Sequence, residues 1–404
     1  MKRRDFLQSG ILSAAGLLLA LRVSPAQVSL ESKKVIIIGA GLSGLVTAYE
    51  LDKLGFDVTI LEAQARVGGR ILTVRDFDDN LYAEAGAARI FHEHHLTLKY
   101  INQFKLPLEP FYPSEQKFMR MKNGKGEAVN WGKFADATEA VATLEKPRYW
   151  QKIRGGNDLL PRAFEQKLNG KIKYSAPVVK IDQTESELNV TFIEKGTPAN
   201  IRGDYLVCAI PFTMLRKIEI VPKFSAEKMQ AIETLQYDSA SRVLLQTKWR
   251  FWTGKNLNGF ASGDEFAEIW HSTYGQSGTR GVLQSYLRGF FSLALTRLAP
   301  EERIEVTLKS LENLFPEIRA NFEKGYTKCW SEDAWVLGAW AHAVNTKQAE
   351  TIARAENRVF FAGEHASGFS SWMQGALQSG LRVVEEIKRK NSSSLADSVS
   401  LIKR

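Results

Sequence analysis

The chain has 404 residues, which is long for one hydrophobic core and predicts two domains. Its 44% hydrophobic and 25% charged residues are typical of a globular protein. Residues 1–27 contribute +3 of the net charge of +9, and the rest is spread along the chain, which argues against nucleic-acid binding. The two cysteines, Cys208 and Cys329, lie in apolar surroundings and are too few for a disulfide framework or a zinc ribbon.

The first 27 residues have the pattern of an export signal. The basic start KRRDFLQ precedes the apolar run SGILSAAGLLLAL, and small residues around Ala26 predict a cleavage site. The run is too short to span a bilayer comfortably, and an ordinary secretory signal or an uncleaved anchor is the alternative. Arg3-Arg4, followed by Phe-Leu, resembles a twin-arginine signal, which predicts a protein exported to the periplasm or secreted after folding around its cofactor.

The segment KKVIIIGAGLSGLVTAYELDKLGFDVTILE predicts a strand, a glycine turn, a helix and a second strand. Gly39-x-Gly41-x-x-Gly44 directly follows the apolar run VIII, and the second strand (57–61) ends before Glu62. Glycines at this spacing let the backbone approach a pyrophosphate at a helix N-terminus, and an acidic residue at this distance can accept ribose hydroxyls. The unit therefore predicts dinucleotide binding.

Farther along the chain, apolar runs alternate with turns. The segment GGNDLLPRAFEQKL (155–168) predicts a turn and a helix, and DYLVCAIP predicts a buried strand closed by Pro211. The region 225–350 is mixed and rich in aromatic residues, and NRVFFAGEHASGFSSWMQGALQSG then predicts a strand, a glycine loop and a helix. Two parts of one nucleotide domain, at the two ends of the chain, are therefore expected to enclose the rest.

These elements predict an α/β fold in which a discontinuous Rossmann-like domain accompanies a mixed-sheet substrate domain. The last residues are polar and serine-rich, which predicts a frayed end. The predicted boundaries are 1–27 for the export signal, 33–88 with 151–224 and 355–390 for the nucleotide domain, 89–150 with 225–354 for the substrate domain, and 391–404 for a flexible tail.

Two distant motifs occur together in this chain. RVGGR (66–70) closely follows Glu62, and the FFAGEH loop near the carboxyl end opens a helix at WMQGALQSG. With the EAGAAR and GG–LP segments, this pair resembles the flavin amine oxidase family, which includes monoamine, polyamine and L-amino acid oxidases. The resemblance covers most of the chain after the export signal, and it implies an enzyme that uses FAD to oxidise a C–N bond.

The resemblance implies an FAD site built from both ends of the chain. The glycine turn would hold the pyrophosphate, and Glu62 would bind the adenosine ribose. Arg70 would lie between the phosphates and the isoalloxazine ring, and the Val179 backbone would contact the adenine. Ala339 stands where some relatives carry the cysteine that attaches the flavin, so FAD is expected to be non-covalent. The residues implied in cofactor binding are Gly39, Gly41, Gly44, Glu62, Arg70, Gly86, Ala87, Val179, Gly363, Glu364 and Gln374.

The family's catalytic residues have three matches in this chain. Trp372 and Trp340 correspond to an aromatic pair that faces the flavin and orients a neutral amine, although a tryptophan at either position is also a common core residue. Lys248, in LLQTKWRFW, resembles the lysine that holds a water molecule against flavin N5. The alternative for Lys248 is a surface position on an edge strand.

The stretch EAGAARIFHEHH (84–95) contains a candidate for substrate recognition. L-amino acid oxidases carry a similar string with an arginine that binds the substrate carboxylate, and Arg89 is the matching residue. The three histidines that follow lack the spacing of a zinc motif, so no metal site is expected. A helix is expected from Glu93 onward. Whether His92 or His95 lines the pocket is left open by the sequence.

The chain is short where larger family members carry a helical subdomain. Little room for helices remains between a predicted hairpin, turning at NGKG, and the GG–LP turn. Because that subdomain narrows the entrance to the active site in larger members, a more open pocket is expected here.

The resemblance implies oxidative deamination of an L-amino acid: hydride transfer to flavin N5, an imine hydrolysed to a 2-oxo acid and ammonia, and hydrogen peroxide from oxygen. A monoamine or polyamine oxidase, disfavoured by Arg89, stays open, as does a dehydrogenase with another electron acceptor. A lipid desaturase or isomerase and a non-catalytic accessory flavoprotein are the remaining alternatives. The expected partner is a small-molecule amine or amino acid, with no nucleic acid and no stable membrane span after signal removal, and homodimer formation stays open.

Overall fold

The structure, a computed structural model, describes residues 32–122, 125–130, 150–184, 187–263, 266–342 and 346–402. The export signal predicted for 1–27, and most of the stretch in which a shortened subdomain is predicted (131–149), lie outside the described residues. Among the described residues, no helix combines the length and the apolar composition needed to cross a membrane.

Strands and helices are numbered here along the chain. The strands are β1 (Lys34–Ile38), β2 (Asp57–Leu61), β3 (Thr73–Val74), β4 (Ala83–Glu84), β5 (Leu108–Pro110), β6 (Lys117–Lys122), β7 (Lys125–Val129), β8 (Gln151–Ile153), β9 (Ile172–Lys173), β10 (Val178–Gln183), β11 (Leu188–Glu194), β12 (Thr197–Arg202), β13 (Tyr205–Cys208), β14 (Glu219–Val221), β15 (Tyr237–Asp238), β16 (Ala240–Thr247), β17 (Leu257–Gly263), β18 (Phe266–His271), β19 (Gly281–Arg288), β20 (Phe322–Cys329), β21 (Trp340–Ala341) and β22 (Val359–Phe361). The helices are α1 (Leu42–Lys53), α2 (His95–Gln103), α3 (Leu159–Lys167), α4 (Phe212–Leu215), α5 (Ala226–Thr234), α6 (Gly289–Leu295), α7 (Pro300–Glu312), α8 (Ile318–Asn321), α9 (Thr346–Ala353) and α10 (Met373–Ile402).

A parallel sheet carries the dinucleotide motif. Its strand order is β22-β13-β1-β2-β9, and every pair in it is parallel. Both faces are covered, which explains why β1 is apolar throughout: Val35 and Ile37 belong to the core that includes α1, α3 and α10, while Ile36 and Ile38 belong to the core shared with the sheet β12-β11-β10-β14. The strand, turn, helix and strand predicted from the sequence are confirmed.

The second large sheet has the order β20-β16-β19-β18-β17-β6-β7. Its pairs are antiparallel except for β17 with β6, which run parallel. One side packs against an apolar core to which α7 contributes Leu308 and Leu311. The other side belongs to an aromatic core that includes Trp270, Tyr286 and Trp330. The mixed α/β architecture agrees with the predicted fold class, whereas the predicted domain boundaries stay a prediction.

Helix α10 continues to Ile402, through the segment 391–402. The helix can extend this far because NSSSLADSVSLI contains neither proline nor glycine, and serine lowers helix stability only mildly. The flexibility predicted for 391–404 stays a prediction.

Candidate active site

A cavity of about 740 Å³ is lined at one end by the turn between β1 and α1 and at the other by residues of β16 and β19. Side chains from both ends of the chain therefore meet around one space. The predicted site residues that line it are Gly39, Gly41, Glu62, Arg70, Gly86, Ala87, Arg89, Val179, Trp340, Gly363, Glu364 and Trp372.

The glycine turn leaves room beside the backbone at the start of α1. Gly39 has φ of +98°, a conformation that favours glycine, and Gly41 is the N-cap residue of α1. A Cβ atom on Gly41 would have no neighbour within 4 Å, whereas a Cβ atom on Gly44 would lie 2.1 Å from the Gly39 carbonyl oxygen. Gly41 thus keeps space open where helix N–H groups favour an anion, and Gly44 lets the helix pack against the turn.

Glu62 stands at the carboxyl end of β2 with 6% of its surface exposed. Its Oε2 accepts a hydrogen bond from the Ala40 N–H at 2.6 Å, and its Oε1 accepts one from the Gln64 N–H at 2.8 Å. Burial raises the pKa of Glu62, and these N–H groups counteract that rise. Because a carboxylate oxygen accepts more than one hydrogen bond, Glu62 can still accept one from a hydroxyl group in the cavity.

A partly buried ion pair joins the RVGGR and FAGEH segments. Arg70 Nη1 donates to Glu364 Oε1 at 2.7 Å and to the Ala339 carbonyl oxygen at 3.0 Å, and Glu364 Oε2 accepts from the Ser371 N–H at 2.8 Å. Burial alone would raise the pKa of Glu364, but Arg70, His365 and the Ser371 N–H hold it below its ordinary value. The ion pair therefore fixes two walls of the cavity against each other.

His365 is a buried residue of the cavity wall that the sequence did not single out. Neither of its ring nitrogens has a hydrogen-bond partner among the described residues. Burial lowers the pKa of His365 to about 4, so the imidazole is neutral near pH 7. A neutral ring has one donor and one acceptor, and both are left for a polar group in the cavity.

Val179 occupies a bulge in β10. The ladder with β11 pairs Val178 with Phe192 and Lys180 with Thr191, so Val179 lies outside the regular pairing. A bulge that lines the cavity presents a backbone N–H and C=O to whatever the cavity holds. This geometry fits the backbone contact with adenine that is expected at Val179.

Two tryptophans form part of the opposite end of the cavity. Trp340 donates from Nε1 to Asp238 Oδ2 at 2.9 Å, and Trp372 lies edge-to-face against Phe91 with ring centroids 4.6 Å apart. Both tryptophans are half-buried and pack against the aromatic core. Their rings are therefore held by other side chains while they line the cavity.

Three arginines, Arg89, Arg242 and Arg288, line the cavity near these tryptophans. Arg89 Nη1 donates to both oxygens of Glu268, at 3.1 and 3.0 Å. Burial alone would lower the pKa of Arg89, but the Glu268 carboxylate raises it above its ordinary value. Burial lowers the pKa of Arg242 to about 10, and its Cζ lies 3.6 Å from the centroid of the Tyr286 ring. This end of the cavity is therefore aromatic and cationic.

The sequence model of the flavin containing amine oxidoreductases matches residues 42–152 and 130–388, which is most of the chain. The chain belongs to this family. Membership makes the protein an FAD-dependent amine oxidase and disfavours the lipid-modifying and non-catalytic alternatives. FAD bound in the cavity supplies the two-electron acceptor for the oxidation of a C–N bond.

The enzyme is similar over nearly its whole length to named relatives. A candidate L-amino-acid oxidase of Bacillus subtilis is 30% identical over 457 residues, which cover 89% of this chain and 96% of the relative. The flavin-dependent L-tryptophan oxidase of Lentzea aerocolonigenes is 26% identical over 468 residues, which cover 88% and 98% of the two chains.

Two solved structures share the fold of the enzyme. A triple mutant of putrescine oxidase has a TM-score of 0.77 at 17% identity and covers 89% of this chain and 99% of its own. Cyclohexylamine oxidase from Brevibacterium oxydans has a TM-score of 0.76 at 17% identity, with coverages of 89% and 100%. At this identity the likeness concerns the fold alone, and it agrees with the predicted fold class.

The residues around the cavity fit FAD. Gly41 keeps open the space beside the N-terminus of α1, Glu62 provides an acceptor, and Val179 presents its backbone. His365 contributes ring nitrogens without partners. Cys208 and Cys329, the two cysteines, are buried and do not line the cavity, and non-covalent attachment of FAD stays a prediction.

The catalytic role predicted for Lys248 is wrong. Lys248 is exposed just beyond the end of β16, where its Nζ donates to the Ala320 carbonyl oxygen at 3.1 Å, and it does not line the cavity. Arg242 is the charged residue of the same strand that reaches the cavity. Lys248 follows Arg242 by six positions, so about 20 Å separates them at about 3.3 Å per residue. The predicted strand does reach the cavity, but it does so at the end that carries Arg242 and not at the end that precedes Lys248.

Gln374 and Gly44 do not line the cavity, and the cofactor-binding role predicted for them stays a prediction. Gln374 is fully buried, and its Oε1 accepts hydrogen bonds from the N–H groups of Leu96 and Thr97, at 3.0 and 3.2 Å. Gln374 thereby holds the first turn of α2 against the start of α10, while its neighbour Met373 lines the cavity.

The histidines of HEHH do not line the cavity. His92 and His95 are exposed, and His94 is buried against Phe91 with a ring-centroid distance of 3.6 Å. Burial lowers the pKa of His94 to about 3. Within the part of the chain that the structure describes, no cluster of possible metal ligands is found.

Sequence reasoning missed the residues that β16 and β19 bring to the cavity. Ala240 and Arg242 on β16, and Tyr286 and Arg288 on β19, alternate with residues of the opposite face. A usable signal was present, because an arginine inside the apolar run ASRVLLQT requires a partner or a ligand. The partner strand could not be identified from local sequence.

Proposed function

We propose that the enzyme oxidises L-amino acids and recognises their carboxylate at the arginine-rich end of the cavity. The observation that carries this proposal is a buried positive charge without a balancing carboxylate. Arg242 is 6% exposed and forms no ion pair among the described residues, while the nearby carboxylate of Glu268 forms its ion pair with Arg89.

A buried cation of this kind costs free energy unless an anion accompanies it. The carboxylate of an amino acid supplies that anion, and a guanidinium can donate two parallel hydrogen bonds to its two oxygens. An amine without a carboxylate brings no such compensation, and its ammonium form is repelled by the arginines. The named relatives, which include an L-tryptophan oxidase, support the same substrate class.

The proposed reaction converts an L-amino acid, oxygen and water into a 2-oxo acid, ammonia and hydrogen peroxide. Two electrons and the α-hydrogen leave the substrate for FAD, the resulting imine is hydrolysed, and oxygen accepts the electrons. Trp340 and Trp372 restrict the orientation of the substrate, and the aromatic core behind them limits the access of water.

Matched substrates test the proposal. The purified enzyme is mixed anaerobically with L-tryptophan or tryptamine, L-phenylalanine or phenethylamine, and L-ornithine or putrescine, and the loss of the oxidised flavin absorbance is followed. We expect each acid that reacts to have a second-order rate constant about 30- to 150-fold above that of its amine, because a charge-assisted contact contributes about 2–3 kcal/mol. Faster reduction by the amines would reject amino-acid oxidation in favour of a simple amine oxidase.

We also propose that the enzyme is exported as a folded protein through a twin-arginine signal. The motif KRRDFL and the following apolar run support this proposal. We expect the exported protein to begin at Gln27 by mass spectrometry, and we expect the double variant Arg3→Lys/Arg4→Lys to stay in the cytoplasm with FAD bound. Undiminished export of that variant would point to an unfolded-chain pathway instead.

A further inference from the structure

Resting on the proposed function, we infer that Arg242, rather than Arg89, is the residue that binds the substrate carboxylate. The two guanidinium groups lie near the same rings: the Cζ atoms of Arg89 and Arg242 are 5.0 and 4.3 Å from the centroid of the Trp270 ring. They differ in whether a carboxylate of the protein already forms an ion pair with them.

Arg89 is part of a closed buried group. Glu268 is fully buried and accepts from Arg89 Nη1, from Trp270 Nε1 at 2.7 Å and from the Tyr112 hydroxyl at 3.3 Å. The Arg89 guanidinium also lies 4.5 Å above the Trp150 ring. A substrate carboxylate at Arg89 would compete with Glu268, which is already paired and would repel it.

Arg242, in contrast, forms no ion pair among the described residues and has few hydrogen bonds. Its Nη2 makes a long hydrogen bond of 3.3 Å to the Gly86 carbonyl oxygen, and its Nη1 has no hydrogen-bond partner among the described residues. Tyr286 stacks against the guanidinium and leaves its edge, which carries the N–H groups, as the direction for an anion. A buried donor without a partner is costly, so a ligand that supplies an acceptor is favoured.

The charges that face Arg242 strengthen this assignment. Arg89 and Arg288 disfavour the charged form of Arg242, while Glu268 and Tyr286 favour it, and burial outweighs them all. A carboxylate bound beside Arg242 would offset both the burial and the repulsion from the neighbouring arginines.

The position also suits the reaction. Arg242 contacts Gly86, which belongs to the wall implied in FAD binding, and it lines the same cavity as Trp340 and Trp372. A carboxylate at Arg242 therefore places the α-carbon of an amino acid between the cofactor wall and the aromatic walls. Arg242 acts by binding and orienting the substrate, and it exchanges no proton.

Benzoate, a carboxylate without an amine, is the probe that separates this role from a structural one. Its dissociation constant is measured from the change that it causes in the flavin absorbance of the holoenzyme. For Arg242→Gln we expect that constant to rise about 30-fold or more, because a charge-assisted donor is removed. For Arg242→Lys, which keeps the charge but not the two parallel donors, we expect a smaller rise.

Two further variants complete the comparison. The double variant Arg89→Met/Glu268→Leu removes both members of an ion pair whose net charge is zero. We therefore expect its dissociation constant for benzoate to stay within about 3-fold of the wild-type value. Arg319→Gln, on the exposed surface with Glu305 and Glu312, is the matched control and should bind benzoate as the wild type does.

The outcomes are distinguishable. If benzoate binding is lost in the double variant but kept in Arg242→Gln, the inference is overturned and Arg89 is the carboxylate residue. If the wild type prefers amines over acids, the proposed function itself fails, whatever Arg242 does. Thermal unfolding of the FAD-loaded Arg242→Gln variant shows whether it is folded, so that weaker benzoate binding can be assigned to the lost carboxylate contact.

Discussion

Replacing Glu268 with glutamine is expected to lower the free energy of unfolding by about 3–5 kcal/mol, although the two side chains have nearly the same shape. The neutral amide can still accept from Trp270 Nε1, but Arg89 loses its counter-charge inside the protein and faces Arg242. The effect therefore comes from charge and not from packing. Urea denaturation of the FAD-loaded enzyme measures it.

Removal of both charges should recover most of the lost free energy of unfolding. The double variant Arg89→Met/Glu268→Leu fills a similar volume with apolar atoms, and replacement of a whole buried ion pair is often neutral. Glu194→Gln is the matched control, because its ion pair with Lys173 is half exposed, and we expect little change from it. A Glu268→Gln variant as stable as the wild type would mean that Arg89 does not depend on this carboxylate.

Two glycines of the same turn should respond to alanine in different ways. Gly41→Ala is expected to fold normally, since its Cβ atom meets nothing within 4 Å, but to bind FAD about 100-fold more weakly, a loss of about 2.7 kcal/mol. The methyl group would occupy the space beside the backbone N–H groups. Gly44→Ala is expected to destabilise the apoprotein itself by about 1–3 kcal/mol, because its Cβ atom would lie 2.1 Å from the Gly39 carbonyl oxygen.

Thermal unfolding of the apoproteins and quenching of FAD fluorescence measure the two effects separately. Gly254→Ala serves as the control, because its Cβ atom also has no neighbour within 4 Å and Gly254 does not line the cavity. Normal FAD affinity in Gly41→Ala would show that the pyrophosphate does not approach this turn.

The dinucleotide unit could be predicted from sequence because its parts are local. The strand, the glycine turn, the helix and Glu62 lie within 29 positions, and the spacing of glycine and apolar residues specifies each of them. The FAGEH loop was placed in the same site through family resemblance, and its ion pair with Arg70 is consistent with that placement.

The substrate end could not be predicted in the same way. Which end of β16 reaches the cavity depends on its pairing with β19 and β20, and such long-range pairing leaves no local signal. The arginine inside this apolar strand is a local signal for a site, whereas the family resemblance points to Lys248, which lies beyond the end of the strand. The neutralisation of Arg89 depends on Glu268, which is 179 positions away in the chain.

The ion pair between Arg70 and Glu364 has a consequence for biosynthesis, because 294 positions separate its members. A chain still on the ribosome has its glycine fingerprint early, but it lacks the last strand of the parallel sheet and the loop that closes on Arg70 until nearly all of it has been made. We therefore expect FAD to be bound only after the chain is complete. Proteolytic removal of the carboxyl-terminal segment is likewise expected to release the flavin while the glycine fingerprint stays intact.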